Sequence, residues 1–222
     1  MDVTVKKERT ARVRRMNRVL VELFPVHRIE LNYTTPFELM VAVQLSAQCT
    51  DKRVNQVTAQ LFKKYPTLES YVRARPHVFE RDIFACGFYR NKTKNILATA
   101  QCVKEQFHGE VPRTMHELLT LPGVARKTAN VILSNLYGIS EGIAVDTHIR
   151  RFAIRFDLSD YTDPVRIERD LMTIVPKKEW WDFHHRLVLY GRYHCPARKH
   201  HCKLHPLTVL YPDAAKKWPR AK

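Results

Sequence analysis

Leu121–Gly138 reads LPGVARKTANVILSNLYG. Its Pro-Gly pair sets a tight turn, and Ala129, Ile132, Leu133 and Leu136 then fall on one face of a helix. Residues 114–120 supply a helix before the turn, so the segment is a helix, a hairpin and a helix. A helix that opens after a glycine turn presents unpaired backbone N–H groups, which hold a phosphate without reading sequence. Gly123, Ala125, Arg126 and Thr128 are the expected phosphate contacts, and Lys127 sits in the first helical turn.

The same helical spacing recurs outward from this segment in both directions. Met16, Val19, Leu20 and Leu23 carry it, as do Val54, Val57 and Leu61, then Ile96, Ala100, Val103 and Phe107, and finally Ile167, Leu171, Ile174 and Val175. Thr35-Pro36-Phe37-Glu38 and Thr114-Met115-His116-Glu117 each place a Glu three residues after a Thr, the pattern of reciprocal helix capping. Alternating strand patterns are scarce, and short Pro- or Gly-bearing breaks divide the chain into roughly ten helices. An all-α fold follows.

A formal charge of +16 over 222 residues indicates a polyanionic partner. No apolar run is long enough to span a bilayer, and the charged N-terminal stretch lacks a signal core, so an intracellular place is expected. The five cysteines, Cys49, Cys86, Cys102, Cys195 and Cys202, are odd in number and irregular in spacing, which suits reduced thiols.

Nineteen residues beyond Lys127, the loop Gly142–His148 (GIAVDTH) carries Asp146 through an apolar approach to the start of another helix. Alone, Asp146 reads as an N-cap. In combination, LPGVARKTAN, AVDTHIRR, LMVAVQLSAQCTD (Leu39–Asp51), GFYRNKTKNI (Gly87–Ile96), GEVP (Gly109–Pro112) and HHRLVLYGRYHCPARK (His184–Lys199) resemble, in order and spacing, the endonuclease III family of helix-hairpin-helix DNA glycosylases.

The resemblance implies a two-lobed helix-hairpin-helix glycosylase fold with the active site between lobes. One lobe would span 30–139, and the other would join 1–29 to 140–222, with a degenerate iron–sulfur loop at 195–211. Lys127 would be the nucleophile and Asp146 its charged partner. Gln48 would fill the gap left by an extruded nucleotide, with Phe88 as the apolar wedge. His148, Arg198 and Lys199 complete the expected DNA contacts. Oxidised, ring-saturated pyrimidines in double-stranded DNA are the implied substrates, removed by base flipping, a Lys Schiff base and β-elimination. A monomer acting in the cytoplasm or nucleoid is expected. The competing readings are a non-catalytic DNA-binding protein on the same scaffold and a glycosylase for uracil or mismatched bases.

Many members of that family bind a [4Fe–4S] cluster through four cysteines separated by six, two and five residues. Here Cys195 and Cys202 match the first two, while His205 and Tyr211 stand at the third and fourth positions. Four thiolates are the usual cubane set. The expectation is therefore no cluster and no metal, with Tyr193, Pro206, Tyr211 and Trp218 packing in its place. Zinc at Cys195 and Cys202, completed from His194, His200, His201 and His205, is the alternative. Ala125 stands where the hairpin more often has a second glycine, which matters only if that backbone needs positive φ.

Overall fold

The computed structural model describes residues 2–26, 29–198 and 200–216. Its regular elements are helices: α1 Val3–Leu23, α2 Pro36–Leu45, α3 Asp51–Lys64, α4 Leu68–Val72, α5 Pro76–Asp82, α6 Tyr89–Gln106, α7 Met115–Thr120, α8 Arg126–Tyr137, α9 Thr147–Arg155, α10 Pro164–Ile174, α11 Trp180–Tyr193, α12 Pro206–Leu210 and α13 Asp213–Lys216. Two 3-10 turns, Phe84–Cys86 and Lys177–Glu179, complete them. The molecule is thus all-α, in more pieces than the roughly ten expected. The extra pieces, such as α4, α12 and α13, are one-turn helices too short to show a periodic apolar stripe. Among the described residues no helix is long and apolar enough to cross a membrane.

The chain forms two compact units, Ile29–Ile139 and the joined segments Met1–Arg28 and Ser140–Lys222. In the continuous unit, every residue of α2 from Phe37 to Leu45 is buried. A helix buried on every side, here apolar except for Glu38 and Gln44, belongs at a core centre, and α3, α6 and α8 pack on this one. Thr35 and Glu38 form the full reciprocal cap at its start. At α7 only half of that device forms. The Thr114 hydroxyl accepts from the Glu117 N–H but donates its proton to the Glu117 carboxylate at 2.8 Å.

The discontinuous unit is organised on α1, whose buried face is Arg9, Val13, Met16 and Leu20. This face packs on α10, α11 and α12, and α9 packs on α10 and α11. Arg9 is only 2% exposed. Its guanidinium donates to the Asp157 carbonyl at 3.0 Å and to both carboxylate oxygens of Asp160, at 2.5 and 3.1 Å. A buried guanidinium needs such partners, because desolvating an unpaired charge costs several kcal/mol.

Candidate functional site

The hairpin between α7 and α8 is closed by the Val124 N–H donating to the Leu121 carbonyl at 3.1 Å. Gly123 has φ +74°, and a Cβ there would lie 2.7 Å from the Asn95 amide nitrogen, so both backbone and space require glycine. Ala125, by contrast, is extended (φ −90°, ψ 168°) and tolerates its methyl group. Because Ala125 offers no capping side chain, the opening amides of α8 lack that intramolecular acceptor. This is the arrangement that suits an incoming phosphate. Lys127 and Arg126 are exposed on this turn and Thr128 is half-buried. The first turn of α8 thus faces outward and leaves Lys127 open to solvent.

A relay holds the hairpin against α2 and α6. The Thr99 hydroxyl spends its one proton on the Pro122 carbonyl at 2.9 Å, so its oxygen must accept from the Gln44 amide nitrogen at 3.1 Å. That fixes the Gln44 amide and leaves its Oε1 as a buried acceptor with no partner.

The structure brings Gln48, Phe88 and Gly123 together. They line one cavity of about 160 Å³ with Gln44, Asn91 and Asn95. Gln48 and Phe88 both carry left-handed backbones, φ 53° and 47°, and Phe88 is 65% exposed. Such strain in non-glycine residues concentrates at functional sites. Lys92 is the tie beneath them. Its buried ammonium donates to the Leu45 carbonyl at 2.8 Å and the Cys86 carbonyl at 2.9 Å, joining the two loops that carry Gln48 and Phe88. Burial pushes the Lys92 ammonium below its ordinary value, and the neighbouring Cys86 and Cys49 thiols pull it back. Burial first, then Cys49, pushes the Cys86 thiol up to about 12.

In the discontinuous unit Asp146 is the N-cap of α9. One of its carboxylate oxygens accepts from the His148 and Ile149 N–H groups, each at 2.8 Å. The capping role is thus present whatever else the carboxylate does. His148 is half-buried against Gly191, where a Cβ would come within 2.4 Å of its Nδ1. Farther along α9, Arg151 donates to the Cys195 carbonyl at 2.7 Å, and Arg155 donates to the Cys195 and Cys202 sulfurs at 2.7 and 2.5 Å. Arg198 is exposed. Lys199 and Trp218, both named from the sequence, lie outside the described residues.

The expectation of no metal is overturned here. Ligand atoms of Cys195, His200 and His205 all lie within 4.8 Å of one another. The sequence reading preferred apolar packing to zinc ligation in this loop, but the loop after α11 folds back and collects His200 and His205 beside the buried Cys195 thiol. For an iron–sulfur group this loop offers two thiols and two imidazoles, where a cubane usually takes four thiolates. Burial pushes the Cys195 thiol up, while the Arg155 guanidinium acts the other way.

Sequence reasoning missed Gln44, Lys92, Asn95, Arg151 and Arg155. A signal existed for some of them: in THIRRFAIR, Arg151 and Arg155 fall on the buried stripe with Ile149 and Phe152, where a charge demands a reason.

Comparison with known proteins agrees with this geometry. Residues 41–177 match the model of the HhH-GPD superfamily base excision DNA repair proteins. The chain is 47% identical over 196 residues to Endonuclease III of Synechocystis sp., covering 88% of this chain and 90% of that protein. It is similar to a solved non-covalent Endonuclease III–DNA complex, with TM-score 0.88, 42% identity, and 94% and 97% of the two chains covered. A trapped Endonuclease III–DNA covalent intermediate with estranged adenine matches with the same TM-score and identity, over 94% and 98%.

Proposed function

Since the chain belongs to the HhH-GPD superfamily of base excision DNA repair proteins and is a bifunctional DNA glycosylase and AP lyase that binds damaged double-stranded DNA, we propose that Lys127 is its nucleophile and Asp146 the supporting carboxylate. The observation that carries this reading is Lys127 itself. It is an exposed lysine on the uncapped first turn of α8, with no hydrogen bond or ion pair among the described residues.

A base stacked in a duplex hides its glycosidic carbon, so the nucleotide must rotate out before attack. Gln48 and Phe88 occupy the space it leaves, one supplying polar edges and the other an aromatic face. Lys127 attacks C1′ as the free amine, and the C1′–N bond pair departs with the base. Asp146 stabilises the positive charge that develops on the sugar and takes the proton released from the amine. Opening of the sugar ring gives an iminium. Loss of a C2′ proton then sends its bonding electrons toward the iminium and expels the 3′ phosphate by β-elimination. The proposed lesions are oxidised, ring-saturated pyrimidines, and the proposed place of action is the nucleoid, where the substrate is. Gly123, Ala125, Arg126, Thr128, His148 and Arg198 are the proposed contacts along the DNA.

The test uses a duplex with one thymine glycol and borohydride, which reduces an iminium to a stable amine link. Wild-type protein should become covalently attached, and Lys127→Ala should not. Trapping by wild type on an abasic site but not on thymine glycol would keep the lyase and discard the lesion. Trapping by Lys127→Ala would discard the nucleophile.

A further inference from the structure

We infer that the loop after α11 binds one zinc-class divalent ion through Cys195, His200 and His205, with Cys202 as the further thiolate.

Three observations converge on this. The first is the spacing of donors. Zinc lies about 2.0–2.1 Å from an imidazole nitrogen and about 2.3 Å from a thiolate, which puts donors around one tetrahedral ion roughly 3.3–3.8 Å apart. Cys195 Sγ and His200 Nε2 stand 3.4 Å apart, and the three-residue set spans no more than 4.8 Å. A small closure completes the site. Ligands to a multi-iron unit bind different metal atoms and stand farther apart than this set does.

The second is the state of the imidazoles. His200 Nδ1 lies 2.6 Å from the Arg198 carbonyl, an acceptor only, so that nitrogen carries the proton. Nε2 is left with its lone pair turned to the thiol, the outer hydrogen bond that commonly orients a metal-bound histidine. His205 stacks beside it at 5.1 Å between ring centroids, and its Nδ1 is buried without a hydrogen-bond partner. A buried polar nitrogen with no partner asks for one.

The third is the placement of the second thiol by Arg155. This side chain is 1% exposed and donates to the Cys195 sulfur at 2.7 Å and the Cys202 sulfur at 2.5 Å, so one guanidinium gathers both sulfurs. Cys202 stands outside the mutual 4.8 Å set, and a closure of the loop around an ion draws in its sulfur as the further donor.

The experiment measures metal in the full-length chain purified from cells grown with both iron and zinc. The expected result is one zinc per chain, little iron and no brown colour, with zinc content falling at least fivefold in His200→Ala and His205→Ala. Since those variants could lose zinc by unfolding, cobalt exchanged into the wild-type protein supplies a second measurement. Tetrahedral visible bands together with a thiolate-to-cobalt charge-transfer band are expected, the latter weakened in Cys202→Ser. Iron with equimolar sulfide would overturn the inference, as would a metal-free chain that takes up no cobalt. Full zinc content in both histidine variants would overturn it too.

Discussion

Gln48 and Phe88 hold left-handed backbones that glycine would adopt at no cost, with φ 53° and 47°. For other L-residues the conformation costs roughly 1–2 kcal/mol, partly offset by the lower unfolded-state entropy of a side-chain-bearing residue. Gln48→Gly is therefore expected to raise stability slightly, by about 0.5 kcal/mol in urea unfolding, while slowing excision at least tenfold in single-turnover assays. Equal or faster excision would show that the side chain fills no gap. The identities of these two residues were legible from the sequence, through their place in the family motifs. Their strain was not, because positive φ in Gln or Phe has no local composition signal. Lys92 was hidden for a related reason: a lysine in a helical run reads as solvated, and only the packing of two carbonyls onto its ammonium reveals the tie.

At the level of elements, α1 is anchored by Arg9 to the turn after α9. The Arg9 hydrogen bond holds the Asp160 carboxyl below its ordinary value of 3.8, ahead of its coulombic attraction to the same group. A carboxyl depressed in the folded state adds stability above its unfolded value and loses it as the pH falls through the folded one. Asp160→Asn should thus lower the Tm at neutral pH. The wild-type and variant curves should converge as the pH falls below the ordinary carboxylate value, and a gap that stays constant into acid would refute the linkage. Most helices were legible from apolar spacing, and the start of α2 from its Thr35–Glu38 cap. The reciprocal cap at Thr114 was expected and forms by half, since its hydroxyl proton goes to the Glu117 carboxylate. In the loop after α11 the donors were named from the sequence, but packing was preferred to ligation because no periodicity announces the fold-back that gathers Cys195, His200 and His205.

For the whole molecule, a formal charge of +16 predicts binding to duplex DNA that is dominated by phosphate contacts. Affinity for undamaged duplex should fall roughly a hundredfold or more between about 50 and 200 mM salt. Arg198→Ala should make the log–log slope shallower by about one unit while leaving Tm unchanged; a slope unaltered by the substitution would place Arg198 off the DNA. The all-α class and the charge were legible at this scale because both are sums over many residues. Chain order has a further consequence. The apolar stripe of α1 belongs to a unit whose other helices lie at the far end of the sequence, so translation delivers α1 about 140 residues ahead of α10 (Leu23 against Pro164). The ribosome completes Ile29–Ile139 while Val13, Met16 and Leu20 still lack the surfaces they will cover. Nascent chains of this protein therefore carry an uncovered amphipathic arm through most of synthesis, and chaperones that guard emerging polypeptides have a defined segment to hold.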